Sequence, residues 1–569
     1  MFVQLLSWLD SSPAHYWFAA WTTFAAFGLL TFFILLFPRE QEWWRNPVFL
    51  SAIMLIVLFA FRWPMLFDNR PYPDPDESQF IAGAMTLRED PLFWKSVDGT
   101  THGPLTEWPL LVGLIAHGSL NFKVARIASL ILVWLQLISG LLIFRRLFGP
   151  RIAGLLVLPL LAVNAFTQIW SFVAYCSEHV PNALLAVGCC MLVSAWQAKG
   201  NAEGQRFPKL FAAGALLGAI PFAKLQAAPI ALVTIIGGVW LILTTRNRAW
   251  RAVGAFVGGA ATVAILIVAI VITCGIWVDF FGCYIMDNLR YASANRFPPD
   301  RSFGFADAPK MFFELGSAVG GFDEFALSVI AFALIGLIFL LRFTSWHRRW
   351  AVLTAIILIT SAFAAMAPGR LYLHYLQLII FPAGLFGGIV AGALFSTTES
   401  ASSSYRFLRA AVPVVFVICG LAPQLWWRVG EPQPFLGRYT ITKGALVRSA
   451  VSNEILEHAR PGERLAIWGW MPMYWVETGL IQATRDGQTS RQIEPHPRLG
   501  YYRSRFMQDL LQTKPPVFVD AVGPGNFVYE NRAESEHETF PELRDYIQNN
   551  YYLVRDLDSS RIYVRNDRL

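Results

Sequence analysis

Charged side chains are scarce in this sequence. They make up 15% of its 569 residues, whereas a soluble globular protein has about 25%. Hydrophobic residues account for 55%, and the mean hydropathy is +0.45. This balance excludes an ordinary soluble domain and predicts a polytopic membrane protein. The first residues lack the basic region and the small-residue cleavage site of a signal peptide, so we expect the first apolar segment to remain as an anchor.

Cysteine is also rare, with six residues and no Cys-x-x-Cys pair. The missing pairs exclude common zinc and thiol-redox sites. Most of the six lie in or beside apolar runs, as buried small side chains do. The alternative is a disulfide between Cys176 and Cys283, because we place both in loops on the outer side of the membrane.

No arginine-rich tail or RNA-binding signature accompanies the net charge of +7, and no nucleic-acid partner is expected.

Long apolar runs dominate the first 430 residues. A membrane-spanning helix needs about 17–25 apolar residues, and twelve runs are candidates. They lie near residues 15–37, 47–67, 124–147, 152–169, 181–197, 209–223, 226–244, 252–275, 326–343, 350–367, 376–395 and 409–426. Lysine and arginine are concentrated in alternate links between them, which predicts that those links are cytoplasmic. Both chain ends and the segments 68–123 and 276–325 then lie on the outer side.

The last 140 residues have a different character, being charged and rich in turns. Strands are predicted at 464–470, 515–522, 551–557 and 561–565, with a helix at 501–513. The predicted fold is therefore a mainly α polytopic membrane protein with about 12 transmembrane helices and a C-terminal extracytoplasmic α/β domain. We place the membrane domain at 1–429 and the α/β domain at 430–569.

An acidic cluster follows the second apolar run, in "RPYPDPDESQFIAGAMTLRED" at 70–90. Asp76 precedes a helix-like pattern, so it is either an N-cap or a catalytic group. Four more ionisable residues fall in other outer loops, namely Glu178, Lys224, Arg370 and His374. Charges at membrane depth usually face a cavity and are functional candidates. The alternatives are a helix cap for Glu178, a helix-end position for His374, and contact with lipid headgroups for the two cations.

Two short stretches resemble a known family. "PDESQFIAGAMTL" followed by "GTTHGPLTEWPLL" is similar to the first outer loop of GT-C glycosyltransferases, in the superfamily of protein O-mannosyltransferases and lipid A aminoarabinose transferases. Those proteins carry Pro-Asp-Glu-x-Arg-Tyr and then Lys-Pro-Pro-Leu. The family Arg and Tyr correspond to Gln79 and Phe80 here, and His102 replaces the Lys. The departures leave the sugar and the acceptor open.

The resemblance implies a glycosyltransferase that uses a sugar on polyprenyl phosphate. An acceptor hydroxyl would attack the anomeric carbon with inversion, and Asp76 would be the general base. Glu77 or Glu178 would orient the acceptor or hold a cation. Binding of the donor phosphate would fall to Lys224, Arg370, His374 and His102. The acceptor would be a glycan, a glycolipid or a lipid A-like molecule.

A metal is left open by the sequence. If a divalent cation such as Mg²⁺ or Mn²⁺ takes part, Asp76 and Glu178 are its expected ligands, although lysine and arginine can bind the phosphate alone. The expected location is the bacterial inner membrane, in contact with its lipids, with the site and the tail on the periplasmic side. Two other functions remain: a non-catalytic scaffold for polysaccharide assembly, and a polytopic transporter or flippase.

Overall fold

The computed structural model describes residues 2–37, 43–67, 74–167, 169–196, 206–245, 249–293, 308–319, 322–370, 372–399, 406–430 and 447–569. These ranges are mostly helical, with a five-stranded sheet close to the C-terminus. The expected domain boundary at 430 adjoins residues 431–446, which lie outside the described ranges. Residues 68–73 and 294–307 of the expected outer segments lie outside them too.

Helices occupy all twelve predicted spans, and the predicted fold class is confirmed. Within the described ranges, eight helices are long and apolar enough to cross a membrane, judged by length and composition. The helices of this first part are α1 Phe2–Ser11, α2 Pro13–Leu36, α3 Pro47–Leu66, α4 Pro75–Glu89, α5 Trp108–His117, α6 Phe122–Phe148, α7 Pro150–Phe166, α8 His179–Trp196, α9 Arg206–Ala219, α10 Ala228–Thr245, α11 Trp250–Thr273, α12 Asp287–Ser293, α13 Ala308–Ser317, α14 Phe322–Phe339, α15 Ser345–Met366, α16 Gln377–Glu399 and α17 Arg406–Gly430.

The antiparallel course of the helices brings several loops to one end of the bundle. α3 ends there, and α6, α8 and α16 begin there. α9 also ends there, followed by a 3₁₀ turn at Ile220–Phe222. Pro221 lies in this turn, where a ring without an N–H cannot continue the α-helical hydrogen bonds. The loops that carry the sequence-predicted site residues therefore meet at this end of the bundle.

The tail, residues 447–569, forms an α/β unit. Its elements are α18 Ala450–His458, β1 Arg464–Gly469, α19 Met473–Thr478, β2 Ile481–Gln482, α20 Ser490–Ile493, α21 Leu499–Thr513, β3 Val517–Ala521, α22 Arg532–Ser535, α23 Pro541–Asn550, β4 Tyr551–Leu557 and β5 Ser560–Arg565. The sheet order is β2-β1-β3-β5-β4, parallel from β2 to β3 and antiparallel after that. The four predicted strands and the predicted helix are confirmed.

The tail packs directly on α4. Ile81 and Ala84 of α4 share an apolar cluster with Leu465 and Ile467 of β1. The opposite face of the sheet is covered by α21, whose Phe506 packs against Trp468. The sheet therefore lies between α4 and α21.

A buried network of arginine and aspartate joins the tail to the loops of the first part. Arg505 of α21 donates to Asp98 at 2.7 Å. Arg498 donates to Asp287 at 2.8 Å, and Arg485 lies 3.4 Å from Asp279. These charges are largely buried, and several have two partners, so the network as a whole compensates them.

The disulfide prediction is wrong, since both cysteines are free. Cys176 accepts a hydrogen bond from Gln377 Nε2 at 3.0 Å. Cys283 lies in the charged network instead, with its Sγ 3.3 Å from Arg505 Nη1.

Candidate active site

The start of α4 presents two carboxylates in its first turn. Asp74 is the N-cap, and its Oδ1 accepts from the backbone N–H groups of Asp76 (3.0 Å) and Glu77 (3.2 Å). Pro75 occupies the first helical position, which suits its fixed φ. The capping interpretation of Asp76 is therefore wrong, because Asp74 provides the cap. The side chain of Asp76 remains available for another role.

Glu77 is buried and fully engaged. Arg126 of α6 donates through Nε at 3.1 Å and through Nη2 at 3.0 Å, and the backbone N–H of Tyr175 donates at 3.1 Å. The guanidinium also lies over the ring of Trp170, 4.3 Å from its centre. Bidentate arginine–carboxylate pairs fix orientation as well as distance. Glu77 therefore ties α4 to α6 and to the loop that carries Glu178.

Glu178 forms a second buried ion pair, just before α8. Its Oε1 accepts from Lys224 Nζ, and Lys224 also donates to Ser177 Oγ at 2.8 Å. His374 Nε2 lies 3.9 Å from the same carboxylate oxygen. Lys224 is 2% exposed, which excludes contact with lipid headgroups in this conformation. The pair lowers the side-chain freedom of both groups and holds a cation beside the carboxylate.

The Lys224 loop is held against the 102–106 loop by backbone contacts. The backbone N–H of Gly103 donates to Ala223 O at 2.8 Å, and Thr106 Oγ1 donates to the same oxygen at 2.9 Å. A Cβ on Gly103 would lie 2.2 Å from Phe222 O, so only glycine allows this approach. The glycine of "HGPLT" therefore sets the position of Lys224.

The backbone of His102 pairs with the backbone of Lys224, but the imidazole ring of His102 contacts Glu107. The two backbones form an antiparallel bridge at His102 and Lys224, while His102 Nε2 lies 2.9 Å from Glu107 Oε1. Burial and the charge of Lys224 lower the pKa of His102 to about 3. Burial raises the pKa of Glu107. His102 is therefore neutral near pH 7, and its hydrogen bond to Glu107 braces the loop.

Asp76 lies in the electrostatic field of three groups from other loops. Burial and the charge of Asp74 raise its pKa to about 6, and His374 and Lys224 oppose the rise while Glu178 adds to it. No hydrogen bond or ion pair from the described residues engages its carboxylate. Glu178 behaves differently: burial opposes its ionisation, but Lys224 prevails and lowers the pKa to about 2. One carboxylate is thus permanently charged, and the other can gain or lose a proton near neutral pH.

The structure thus brings together Asp76, Glu178, Lys224 and His374. Arg370 is buried on the loop between α15 and α16, four residues before His374.

Sequence reasoning missed two arginines. Arg126 anchors Glu77, and Arg62 is buried near the end of α3, where its Nε donates to Asn164 O at 2.8 Å. Arg62 also lies close to Cys176 and His179, which flank Glu178. Arg62 lies within a predicted span, and Arg126 lies at the edge of another. A charge at membrane depth was the signal that could have identified them as candidates.

A different group of side chains has metal-ligand spacing. Among the described residues, Asp520, His537 and Glu538 of the tail place three ligand atoms within 4.8 Å of one another. Arg561 donates to Asp520 at 2.8 Å and to Glu538 at 2.7 Å. Arg561 therefore already pairs with both carboxylates, and a structural role for the cluster fits.

Comparison with known proteins identifies the fold. No family model matches the sequence, and no curated protein matches it either. Among solved structures, ArnT from Cupriavidus metallidurans bound to undecaprenyl phosphate is similar, with a TM-score of 0.56, 15% identity, and coverage of 91% of this chain and 97% of that chain. The apo state of the same protein gives a TM-score of 0.52, 14% identity, and coverage of 90% and 97%. The chain therefore has the GT-C fold that the sequence motifs predicted.

Proposed function

We propose that this protein is a membrane glycosyltransferase that moves a sugar from a polyprenyl phosphate to an acceptor hydroxyl. The observation that carries the proposal is the meeting of Asp76, Glu178, Lys224 and His374 at one end of a GT-C bundle. The ArnT structure of the same fold is described as bound to undecaprenyl phosphate, which supports a donor of that class.

The reaction needs one proton acceptor and a cationic site for the leaving group. The acceptor oxygen attacks the anomeric carbon as the bond from that carbon to the phosphate oxygen breaks. Asp76 takes the hydroxyl proton, and polyprenyl phosphate leaves with the bonding electrons. Attack opposite to the leaving group inverts the anomeric centre. A base with a pKa of about 6 is ionised near pH 7 and still accepts a proton readily.

The remaining charged groups have separate roles in this mechanism. Lys224 and His374 lie near Asp76 and would stabilise the charge that develops on the phosphate. Arg370, on the same loop as His374, would add a bidentate contact to phosphate oxygens. Glu178 holds Lys224 in place, and Glu77 positions α4. We therefore keep Asp76 as the base, and we give His102 a bracing role rather than a phosphate contact.

Cationic side chains can serve the phosphate without a metal, because a phosphodiester donor carries one negative charge. If a divalent cation takes part, Asp76 and Glu178 would hold it, and Glu178 would have to release Lys224. We place the site on the periplasmic side of a bacterial inner membrane, with 1–429 as the membrane domain and 430–569 as a separate domain. The support is the basic composition of the links at the other end of the bundle.

The test uses the purified full-length protein and a panel of undecaprenyl-phosphate sugars. We expect release of undecaprenyl phosphate with at least one donor in the presence of a hydroxyl acceptor, and release that is about 10²–10⁴-fold slower with Asp76→Asn. Binding of undecaprenyl phosphate without release from any donor would favour the scaffold instead. Movement of a labelled lipid-linked sugar across vesicle membranes, without transfer, would favour a flippase.

A further inference from the structure

The loop that carries Glu178 is bound to α4 by a backbone hydrogen bond. The backbone N–H of Tyr175 donates to the Glu77 carboxylate at 3.1 Å. Glu77 directly follows Asp76, the proposed base, in the first turn of α4. The Tyr175 contact therefore fixes where the loop lies relative to Asp76.

The same loop is also bound to Gln377, the first residue of α16, which is 6% exposed. The side-chain Nε2 of Gln377 donates to Ser171 O at 2.8 Å and to Cys176 Sγ at 3.0 Å. Its backbone oxygen accepts a hydrogen bond from Asn182 Nδ2 of α8 at 2.9 Å. Cys176 and Asn182 lie on either side of Glu178 in the chain. Gln377 therefore holds both the loop before Glu178 and the helix after it.

The short 3₁₀ turn directly before Gln377 contacts the Lys224–Glu178 ion pair. His374 Nε2 lies 3.9 Å from Glu178 Oε1. Lys224 Nζ lies over the ring of Tyr375, 4.8 Å from its centre. Because Gln377 joins this turn to the loop of Glu178, its hydrogen bonds set how closely the turn approaches the ion pair.

We propose that Gln377 is a positioning residue, which fixes the distance between Asp76 and the cations of the candidate active site. It acts through the loop and the turn that it joins. A glutamine suits this role because its amide offers two N–H donors without a charge of its own. The inference rests on the proposed function, since it takes Asp76 as the base.

The position of the cations affects how readily Asp76 ionises. His374 and Lys224 each favour the ionised carboxylate, and each has a larger effect than Glu178, which opposes ionisation. Asp74, at the start of the same helix, opposes it too. Moving the turn and the loop away from α4 would therefore remove net positive charge from the surroundings of Asp76. The pKa of Asp76 would then rise.

The test measures the pKa of Asp76 by NMR on the full-length protein in phosphatidylcholine nanodiscs. The aspartate carboxyl groups are labelled with ¹³C, and the Asp76 signal is the one that Asp76→Asn removes. Thermal unfolding and the pH dependence of sugar transfer are measured on the same variants.

Two variants weaken the contacts of Gln377 from different sides. Gln377→Met removes both side-chain donors at nearly constant volume. Asn182→Leu removes the hydrogen bond to the backbone oxygen and leaves Gln377 in place. Gln136→Met is the matched control, because Gln136 is 5% exposed and its amide donates to Leu132 O within α6.

We expect a pKa of about 6 for Asp76 in the wild type and in Gln136→Met. Gln377→Met and Asn182→Leu should each raise it by about 1 pH unit, the low end of the shift that one nearby opposite charge produces. The rise of kcat/KM with pH should move upward by the same amount. A merely structural role would lower Tm and leave the pKa of Asp76 where it is.

An unchanged pKa of Asp76 in Gln377→Met, or an equal rise in Gln136→Met, would overturn the positioning role. If Gln377→Met does not fold, Asn182→Leu decides the question by the same criterion. A raised pKa in both variants, together with no sugar transfer by the wild type, would count against the proposed function and support the positioning role. Transfer by the wild type with an unchanged pKa in the variants would do the reverse.

Discussion

Arg126 on α6 donates hydrogen bonds of 3.0 and 3.1 Å to Glu77 on α4, although the two residues are 49 positions apart in the chain. Asp76 is the neighbour of Glu77 and has no such anchor among the described residues. The two adjacent carboxylates therefore differ in their contacts: Glu77 fixes the helix, and Asp76 is the proposed base.

Removal of Asp76 tests the base directly. We expect Asp76→Asn to lower the transfer rate by about 10²–10⁴-fold, the usual contribution of a positioned general base. The raised pKa means that the fold disfavours the ionised carboxylate, so Tm should stay the same or rise. The measurement is single-turnover transfer together with thermal unfolding. Normal turnover by this variant would remove Asp76 from the mechanism.

The anchor of α4 predicts a different pattern. Arg126→Met leaves Glu77 buried without its ion-pair partner, and we expect a loss of about 3–5 kcal/mol in the free energy of unfolding. The double variant Arg126→Met with Glu77→Met should recover much of that stability without recovering kcat, since α4 is no longer fixed. Chemical unfolding and kcat, measured on both variants, check this. Full activity in the stable double variant would show that the pair is not needed to position Asp76.

The pKa of Asp76 sets the expected pH dependence. A base must be ionised to act, so kcat/KM should rise tenfold per pH unit below about 6 and level off above it. The phosphodiester of the donor does not titrate in this range. The profile is measured from pH 4.5 to 8, with donor binding followed in parallel. A flat profile would mean that another step or another group limits the rate.

The contributions of the Lys224–Glu178 ion pair to stability and to catalysis can be measured separately. Lys224→Met should cost about 3–5 kcal/mol of unfolding free energy, because Glu178 is then buried with an uncompensated charge. Adding Glu178→Gln should restore most of that loss. Transfer should remain low in both variants, since the cation near the phosphate is gone. Equal rates in the wild type and the stabilised double variant would make the pair purely structural.

Arg370 is tested by comparison with an arginine at the other end of the same helix. Arg370 follows α15, whereas Arg348 lies in its first turn. Arg370→Ala should weaken donor affinity about tenfold or more, the scale of a charged hydrogen bond, and leave acceptor affinity unchanged. Arg348→Ala should change neither. Equal, small effects of the two substitutions would assign Arg370 no part in donor binding.

Much of the fold was accessible from the sequence because membrane helices have a strong local signal. A run of twenty apolar residues predicts a membrane helix whatever the helix packs against. The strands of the tail have alternating or β-branched sequence patterns. β2 escaped prediction because it has two residues and is held by its neighbour β1. The cap at Asp74 was missed because Asp74 and Asp76 lie two residues apart at the start of α4, and by residue type both suit a cap.

The site was less accessible, because its contacts join distant loops. Topology alone placed Glu178, Lys224 and His374 on one side of the membrane, and the structure brings them together near Asp76. It does not follow from local sequence that His102 would turn to Glu107, since that contact depends on the packing of α4 and its loop. The pairing of Glu77 with Arg126 could not be predicted either, because no sequence pattern around Arg126 indicates which carboxylate it contacts.

The link between Asp98 and Arg505 has a consequence for how the protein is made. The two residues are 407 positions apart, so at about 5–20 residues per second the ribosome needs about 20–80 s to pass from one to the other. During that interval Asp98 lacks both tail arginines that compensate its charge, Arg491 and Arg505. The network that joins the tail to the first part can therefore be completed only after the tail has been synthesised, and a chain truncated before Arg491 would bury the Asp98 carboxylate without either arginine.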